Sequence, residues 1–242
     1  MNHKSSIRTA SLLFLILFPI MGIQSQNIQV HYDLGHSLYN DLTARQSVTT
    51  TVEMFKPDTW GSTYFFIDLD YKNDGVKGTY WEISREFNIT KNKQFAAHVE
   101  YNGGAETGET DNNYYGNRYQ HAVLAGSAWN WHSKNYRKTF SVQLLYKYYF
   151  SNHHRALRPY NSVQLTEVWS TTFAHSLCMF DGYCDLWYDK NVNGNYIIQS
   201  EPQYWFNLNA QKGWSKINLS LGSEVEISNN FVYNERGEHN RF

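Results

Sequence analysis

Tyr64-Phe65-Phe66-Ile67-Asp68-Leu69-Asp70-Tyr71 (YFFIDLDY) holds the pattern on which the fold turns. In an extended strand, side chains alternate between two faces. Phe65, Ile67, Leu69 and Tyr71 therefore share one side, and Tyr64, Phe66, Asp68 and Asp70 the other. A helix would scatter both sets around its circumference. The first face is apolar, while the second mixes aromatic rings with carboxylates. The same period recurs along the chain. Ile28, Val30, Tyr32 and Leu34 alternate with Gln29, His31 and Asp33; Phe95, Ala97, Val99 and Tyr101 alternate with Ala96, His98, Glu100 and Asn102. Further on, Phe140, Val142, Leu144, Tyr146 and Tyr148 oppose Ser141, Gln143 and Lys147, and Ile217, Leu219, Leu221, Val225 and Ile227 oppose Asn218, Ser220, Glu224 and Glu226. Such runs approach the roughly 9 to 11 residues that a tilted strand needs to cross a bilayer.

The breaks between runs alternate in length. Short polar turns fall at Lys56–Thr59, Lys91–Lys93, His132–Arg137 and Ala210–Gly213, and longer loops are expected at Ser37–Ala44, Asn73–Gly78, Gly103–Asn117, Ser151–Tyr160 and Asp189–Asn195. Eleven strands are readable, starting near Asn27, Arg45, Gly61, Gly78, Gln94, Arg118, Lys138, Asn161, His175, Tyr196 and Ser215. A soluble β-sandwich also yields alternating strands. Its strands are usually five or six residues long, however, and here aromatic residues (Trp60, Trp81, Trp129, Trp131, Tyr148, Tyr149, Phe150, Trp214) gather near strand ends, where the interface girdles of a membrane barrel belong. The fold class is therefore all-β, a transmembrane antiparallel β-barrel with its N-terminus in the periplasm. Bacterial barrels have an even number of strands, so about twelve are expected. Eleven readable strands are then one short: either one strand escapes the count, or, as the loop-like stretch after Val232 leads us to expect, a closing strand is missing from the given sequence.

Composition agrees with this class. Lys and Arg total 21 against 22 Asp and Glu, which excludes nucleic-acid binding through bulk positive charge. Aromatic residues reach 17% while mean hydropathy is only −0.60, so the apolar bulk is dispersed, and no helical span of about 20 residues can be drawn after the start of the chain. That start reads as an export signal: Lys4 and Arg8 precede an apolar stretch, Ser11–Gly22, and cleavage is expected between Ser25 and Gln26. Residues 1–25 are thus a signal peptide and residues 26–242 a single outer-membrane barrel. Removing the signal leaves 19 basic against 22 acidic residues, a mildly acidic protein.

Parity then assigns the interior. Asp33, Glu53, Asp68, Asp70, Glu82, Glu86, Glu100, Glu201, Glu224 and Glu226 fall on the inner face, with Lys147 the clearest inward base. Rings share that face: Tyr64 and Phe66 beside Asp68, Tyr80 beside Glu82, and Trp205 beside Gln203. The candidate pore-lining residues are Tyr64, Phe66, Asp68, Asp70, Tyr80, Glu82, His98, Glu100, Glu201 and Trp205. Flat rings offer stacking faces to a nucleobase, and carboxylates accept hydrogen bonds from sugar hydroxyls. Arg85 falls on the lipid-facing parity near a strand end, where it reads as an interface anchor or as the mark of a bulge and not as a contact to substrate.

Three blocks carry a family resemblance: Gly61–Phe87 (GSTYFFIDLDYKNDGVKGTYWEISREF), His98–Gly104 (HVEYNGG) and Phe180–Asn191 (FDGYCDLWYDKN). They resemble a Bacteroidota outer-membrane barrel family of unassigned function, which is in turn similar to the nucleoside-specific channel-forming, Tsx-like porins. The resemblance implies a monomeric barrel of twelve strands, set among outer-membrane lipids, whose narrow pore passes nucleosides.

Other chemistries find less support. An outer-membrane phospholipase needs His and Ser two residues apart on one strand face, followed by Asn. No His-x-Ser-Asn occurs, and the adjacent His175 and Ser176 point to opposite faces. His153 and His154 lie in a polar loop without a third ligand, so neither a metal nor a cofactor is expected. Cys178 and Cys184 on one continuous strand would stand about 20 Å apart, beyond disulfide reach. A hairpin at Asp181-Gly182 would bring them together but leave arms too short to span a bilayer, so a through-running strand is expected, with Gly182 marking a bulge or a close approach. The expected function is passive uptake of nucleosides or similar small polar solutes. The alternatives are a structural or ligand-binding barrel whose outer loops, above all Gly103–Asn117, meet a partner, and a barrel hydrolase.

Overall fold

The computed structural model describes residues 26–38, 46–72, 75–110, 113–153, 155–190, 195–211, 213–214 and 218–231. The expected signal peptide, His154 and everything after residue 231 lie outside the described residues.

Among the described residues fourteen strands form one antiparallel sheet. They are β1 (Gln26–Tyr32), β2 (Val48–Pro57), β3 (Gly61–Lys72), β4 (Gly75–Asn88), β5 (Phe95–Thr110), β6 (Asn113–Arg118) and β7 (Ala122–His132), then β8 (Lys138–Tyr149), β9 (Tyr160–Phe173), β10 (Cys178–Tyr188), β11 (Tyr196–Ser200), β12 (Gln203–Asn207), β13 (Ser220–Glu224) and β14 (Ile227–Asn229). A short helix, α1 (Leu34–Leu38), follows β1. The order across the sheet is β1-β2-β3-β4-β5-β7-β8-β9-β10-β11-β14, with β6 continuing beside β5, β12 beside β10, and β13 beside β12. Sequential neighbours joined by reversals thus make the whole wall.

Three strand pairs are single runs with an interruption, β6 with β7, β11 with β12, and β13 with β14, so eleven runs cross the wall among the described residues. The second interruption has a local cause. Pro202 has no N–H to give to the ladder, and beside it Gly182 takes φ +147°. A Cβ on Gly182 would lie 2.4 Å from the Glu201 carbonyl oxygen, so this glycine permits a close backbone approach. Val225 N–H donates to the Pro202 carbonyl at 3.1 Å, which carries the same break into the next run. The expected last strand from Ser215 is accordingly split, with Val225 and Glu226 between β13 and β14. β10 runs through both cysteines, and both are free thiols.

Two expected loops are strand instead. Of the stretch Asn73–Gly78, the described part Gly75–Gly78 belongs to β4, which pairs with β3 up to Lys72 with a register shift between Asp70 and Tyr71. Gly78 faces Asp70 inside the sheet, where a Cβ would come within 2.9 Å of the Asp70 carboxylate. The stretch Gly103–Asn117 is a hairpin extension, with β5 running on to Thr110 and β6 returning beside it. Gly103-Gly104 reads as a break because it lacks side chains. Neighbouring rings supply that bulk: Trp81 covers Gly103 on the outer face, and Tyr119 covers Gly104 on the inner one.

The sheet is strongly curled. Among the described residues β1 pairs only with β2, and β13 only with β12. Nevertheless the rings of His31 on β1 and Trp205 on β12 meet edge-on, 6.4 Å apart. The alternation read from the sequence holds on both sides of this wall. Val99, Leu144, Tyr146 and Val163 are exposed on the outside, while Ala96, Leu124 and Leu145 are buried inside. The apolar cluster sits within the curl against β7–β11, where Leu124, Leu145, Tyr149, Tyr160, Trp187 and Ile197 pack together. On the outer face Glu167 interrupts the apolar surface, standing in register between Val142 of β8 and Cys184 of β10.

Arg85 is anchored at the short-turn end, as its parity suggests. Its guanidinium donates to both Asp58 oxygens, at 2.7 and 2.9 Å, and to Thr63 Oγ1 at 2.9 Å, which pins the β2–β3 turn to β4. That guanidinium, helped by the backbone N–H groups of Trp60 and Gly61, holds the Asp58 carboxyl well below the usual carboxylate range.

Candidate functional site

Pairing register arranges the inner face in rows that run from strand to strand. One row passes through Glu53, Phe66, Glu82, Asn102, Ala122, Tyr149 and Tyr160. The next passes through Phe55, Tyr64, Ser84, Glu100, Leu124, Lys147 and Ser162. A third joins Thr51, Asp68, Tyr80 and Gly104. Residues far apart in the chain but equal in parity are thereby brought onto one curved surface.

The aromatic residues of β3 and β4 form a continuous ladder on that surface. Tyr64 and Phe66 stand 6.0 Å apart, centroid to centroid, and Phe66 and Tyr80 stand 5.9 Å apart. Tyr80 and Tyr119 follow at 6.5 Å. Tilts of 49° to 55° suit the edge-rich contacts that ring quadrupoles favour. Tyr64, Phe66 and Tyr80 are half-buried, so part of each ring faces the interior space. The upper rung depends on Gly104, since a Cβ there would lie 2.2 Å from Tyr119 Cδ2.

Carboxylates flank the ladder, each tied by one donor. Thr51 Oγ1 donates to Asp68 at 2.5 Å, Thr49 Oγ1 to Asp70 at 2.7 Å, and the Tyr80 hydroxyl to Glu82 at 2.7 Å. A carboxylate offers about four lone-pair sites, so each retains acceptor capacity for a solute hydroxyl. The single tether also fixes the direction in which that capacity points.

The remaining sequence candidates occupy two other places. His98 is only 3% exposed and forms a buried network. Its Nε2 meets Glu100 Oε2 at 3.0 Å, its Nδ1 meets Glu86 Oε1 at 3.5 Å, and Asn130 Nδ2 donates to the second Glu86 oxygen at 2.7 Å. Both ring nitrogens thus face carboxylates, and neither is turned toward a nucleophilic hydroxyl. Glu201 and Trp205 lie on the opposite wall, apart from the ladder. Glu201 accepts from Gln199 Nε2 at 2.8 Å, and Trp205 Nε1 donates to Gln203 Oε1 at 3.0 Å. Acidic residues recur there, where Gln203 Nε2 donates to Glu224.

The interior is consequently asymmetric. The side formed by β5 and β7–β9 is packed: His98, Leu124 at 1% exposure and Leu145 at 0% leave no open surface. The side formed by β1–β4 and β10–β13 carries the half-buried rings and most of the carboxylates. Two features escaped the sequence reading. Tyr119 sits in the irregular stretch between β6 and β7, where an extra residue relative to β5 breaks the parity count. Asn130 joins Glu86 across strands that are not adjacent, a contact that no one-dimensional pattern encodes.

Residues 25–242 match DUF5020, a domain of unknown function, and the chain belongs to that family. No curated protein and no solved structure matches it.

Proposed function

We propose that this protein is an outer-membrane channel for the passive uptake of nucleosides or similar small polar solutes. The observation that carries the reading is the ladder Tyr64–Phe66–Tyr80–Tyr119, flanked by Asp68, Asp70 and Glu82. A nucleoside is a flat base joined to a hydroxylated sugar, and the ladder offers ring faces beside hydrogen-bond acceptors in that combination. Successive rungs about 6 Å apart let the base pass from ring to ring, and several weak sites favour transit over retention. The largely apolar outer face, interrupted by Glu167 on β9, suits lipid contact. The export signal read at residues 1–25 and the resemblance to Tsx-like porins point the same way. In planar bilayers the purified protein should give stepwise ion currents that adenosine and uridine reduce more than glucose does. Equal reduction by all three would leave a general porin.

The packed half of the interior favours a second reading, a barrel that binds its solute without passing it. Leu124 and Leu145, buried inside the curl, narrow the route to the ladder side. Nucleoside binding to the purified barrel with no ion current would select this reading.

A further inference from the structure

Lys147 has no part in the ladder, yet its surroundings are those of a receptor for an alkylammonium ion. The residue projects from β8 into the interior and is 6% exposed. Its Nζ donates to Gln164 Oε1 at 2.7 Å and lies over two ring faces, 5.1 Å from the Tyr149 centroid and 5.0 Å from that of Trp187. Aromatic faces on two sides and an amide oxygen on a third make a cation-binding box. Beyond the box, Glu82, Glu100 and Asp185 act on the ammonium from three other strands. Among the described residues none of these carboxylates comes within 4.0 Å of Nζ, so the charge is held by the box and balanced at longer range. One of these carboxylates, Asp185, has its Oδ1 buried without a hydrogen-bond donor. The cluster thus holds more acceptor capacity than its single cation uses.

We propose that this box is an organic-cation subsite occupied in cis by the Lys147 side chain, and that this tethered cation determines specificity by turning cationic solutes away from an otherwise acidic interior. The specificity half rests on the channel reading; the subsite half does not. Because Lys147 stands in the packed half of the interior, it acts on a solute at the ladder through charge alone: a passing ammonium meets like charge, and a neutral nucleoside does not. Truncating the side chain opens a space shaped for a short alkylammonium between Tyr149, Trp187 and Gln164.

The test uses the mature protein, wild type and Lys147→Ala, with n-butylammonium as the probe and n-butanol as its uncharged control. In planar bilayers, butylammonium should block the Lys147→Ala current at a concentration roughly tenfold below that needed for wild type, as two ring faces and an acceptor would give. In detergent, butylammonium should raise the unfolding temperature of Lys147→Ala and leave wild type unchanged, with butanol inert on both. Lys147→Met keeps the volume without the charge; it should fold if the alanine variant does not, and should raise cation over anion permeability severalfold. Equal block of both proteins, or an unmoved permeability ratio in Lys147→Met, overturns the specificity claim. Absence of stabilisation by butylammonium overturns the subsite. A wild-type protein that carries no current refutes the channel reading instead, and the detergent measurement then decides the subsite alone.

Discussion

Replacing Phe66 with alanine removes the central rung of the ladder, and the structure sets the size of the effect. The ring lies 6.0 Å from Tyr64 and 5.9 Å from Tyr80, so its loss separates the lower rung from the upper two. Base stacking on a protein ring is worth about 1 to 3 kcal/mol, which corresponds to roughly 5- to 150-fold in local affinity. A solute that loses one rung can still use Tyr64 or Tyr80, so the lower end applies, and the adenosine concentration for half-block of the current should rise about 5- to 10-fold. The cost to the fold is smaller than the barrel can bear. Two aromatic pairs at about 0.5 to 1.5 kcal/mol each, with about 1 kcal/mol for the lost burial of a half-buried ring, amount to about 2 to 4 kcal/mol, against a typical total of about 5 to 15. Phe66→Tyr should retain most of the block because it keeps the ring. The assay is titration of adenosine against single-channel current for the three proteins, with the folded band on an unheated gel as the control. Unchanged half-block in Phe66→Ala would refute stacking at this rung. An equal shift in the glucose titration would refute it as well, since it would report a change in pore width.

Gly104→Ala would set its new Cβ 2.2 Å from Tyr119 Cδ2 and 2.7 Å from the Thr79 carbonyl oxygen, so both the ring and the β4 backbone must yield; the variant should unfold at a lower temperature and associate with adenosine more slowly from the outer side, which thermal unfolding and block kinetics with adenosine added to either side would check. Asp58 has a depressed carboxyl pKa in the folded state, so its pairing with Arg85 stabilises the protein above the unfolded value of about 4 and is lost as pH falls through the lower folded value. The unfolding temperature of Arg85→Ala should therefore fall below that of wild type at neutral pH and converge with it in strong acid, as followed by circular dichroism. Glu167→Leu should stabilise the barrel in lipid by about 1 kcal/mol, because a carboxylate on the outer apolar face carries a depth-dependent penalty. Urea titration in vesicles measures that change, and destabilisation would show that Glu167 has a favourable partner there.

The strands were legible in the sequence because their two faces differ so sharply. A helix would bring Phe95, His98, Val99 and Asn102 onto one side and mix apolar with polar residues, whereas the strand register places Phe95, Val99 and Tyr101 on the face opposite His98, Glu100 and Asn102. What the pattern missed lies where bulk comes from elsewhere in the chain. Gly103-Gly104 and Gly75–Gly78 look like loop punctuation in one dimension. In the sheet, Trp81 and Tyr119 cover the first pair and Asp70 stands against Gly78, so the extended backbone is kept. Within the site, Tyr64, Phe66, Tyr80 and Glu82 share one surface because adjacent strands carry matching parity, which is readable. Tyr119 escaped because the extra residue before β7 shifts that parity. Parity puts His98 on the inner face, but the burial that ties it to Glu86, Glu100 and Asn130 and takes it out of reach of a solute depends on the curvature of the whole sheet, which alternation alone does not specify. The placement of Trp205 against His31 has the same origin, since it arises only when the two ends of the sheet approach each other.

Solute flux through the purified protein tests the proposed function most directly. Radiolabelled adenosine should enter vesicles containing the barrel faster than radiolabelled glucose, although glucose is the smaller molecule, and Phe66→Ala should bring the two rates together. Adenosine uptake no faster than glucose uptake, or no faster than in vesicles lacking the protein, would contradict a nucleoside channel built on the Tyr64–Phe66–Tyr80–Tyr119 ladder.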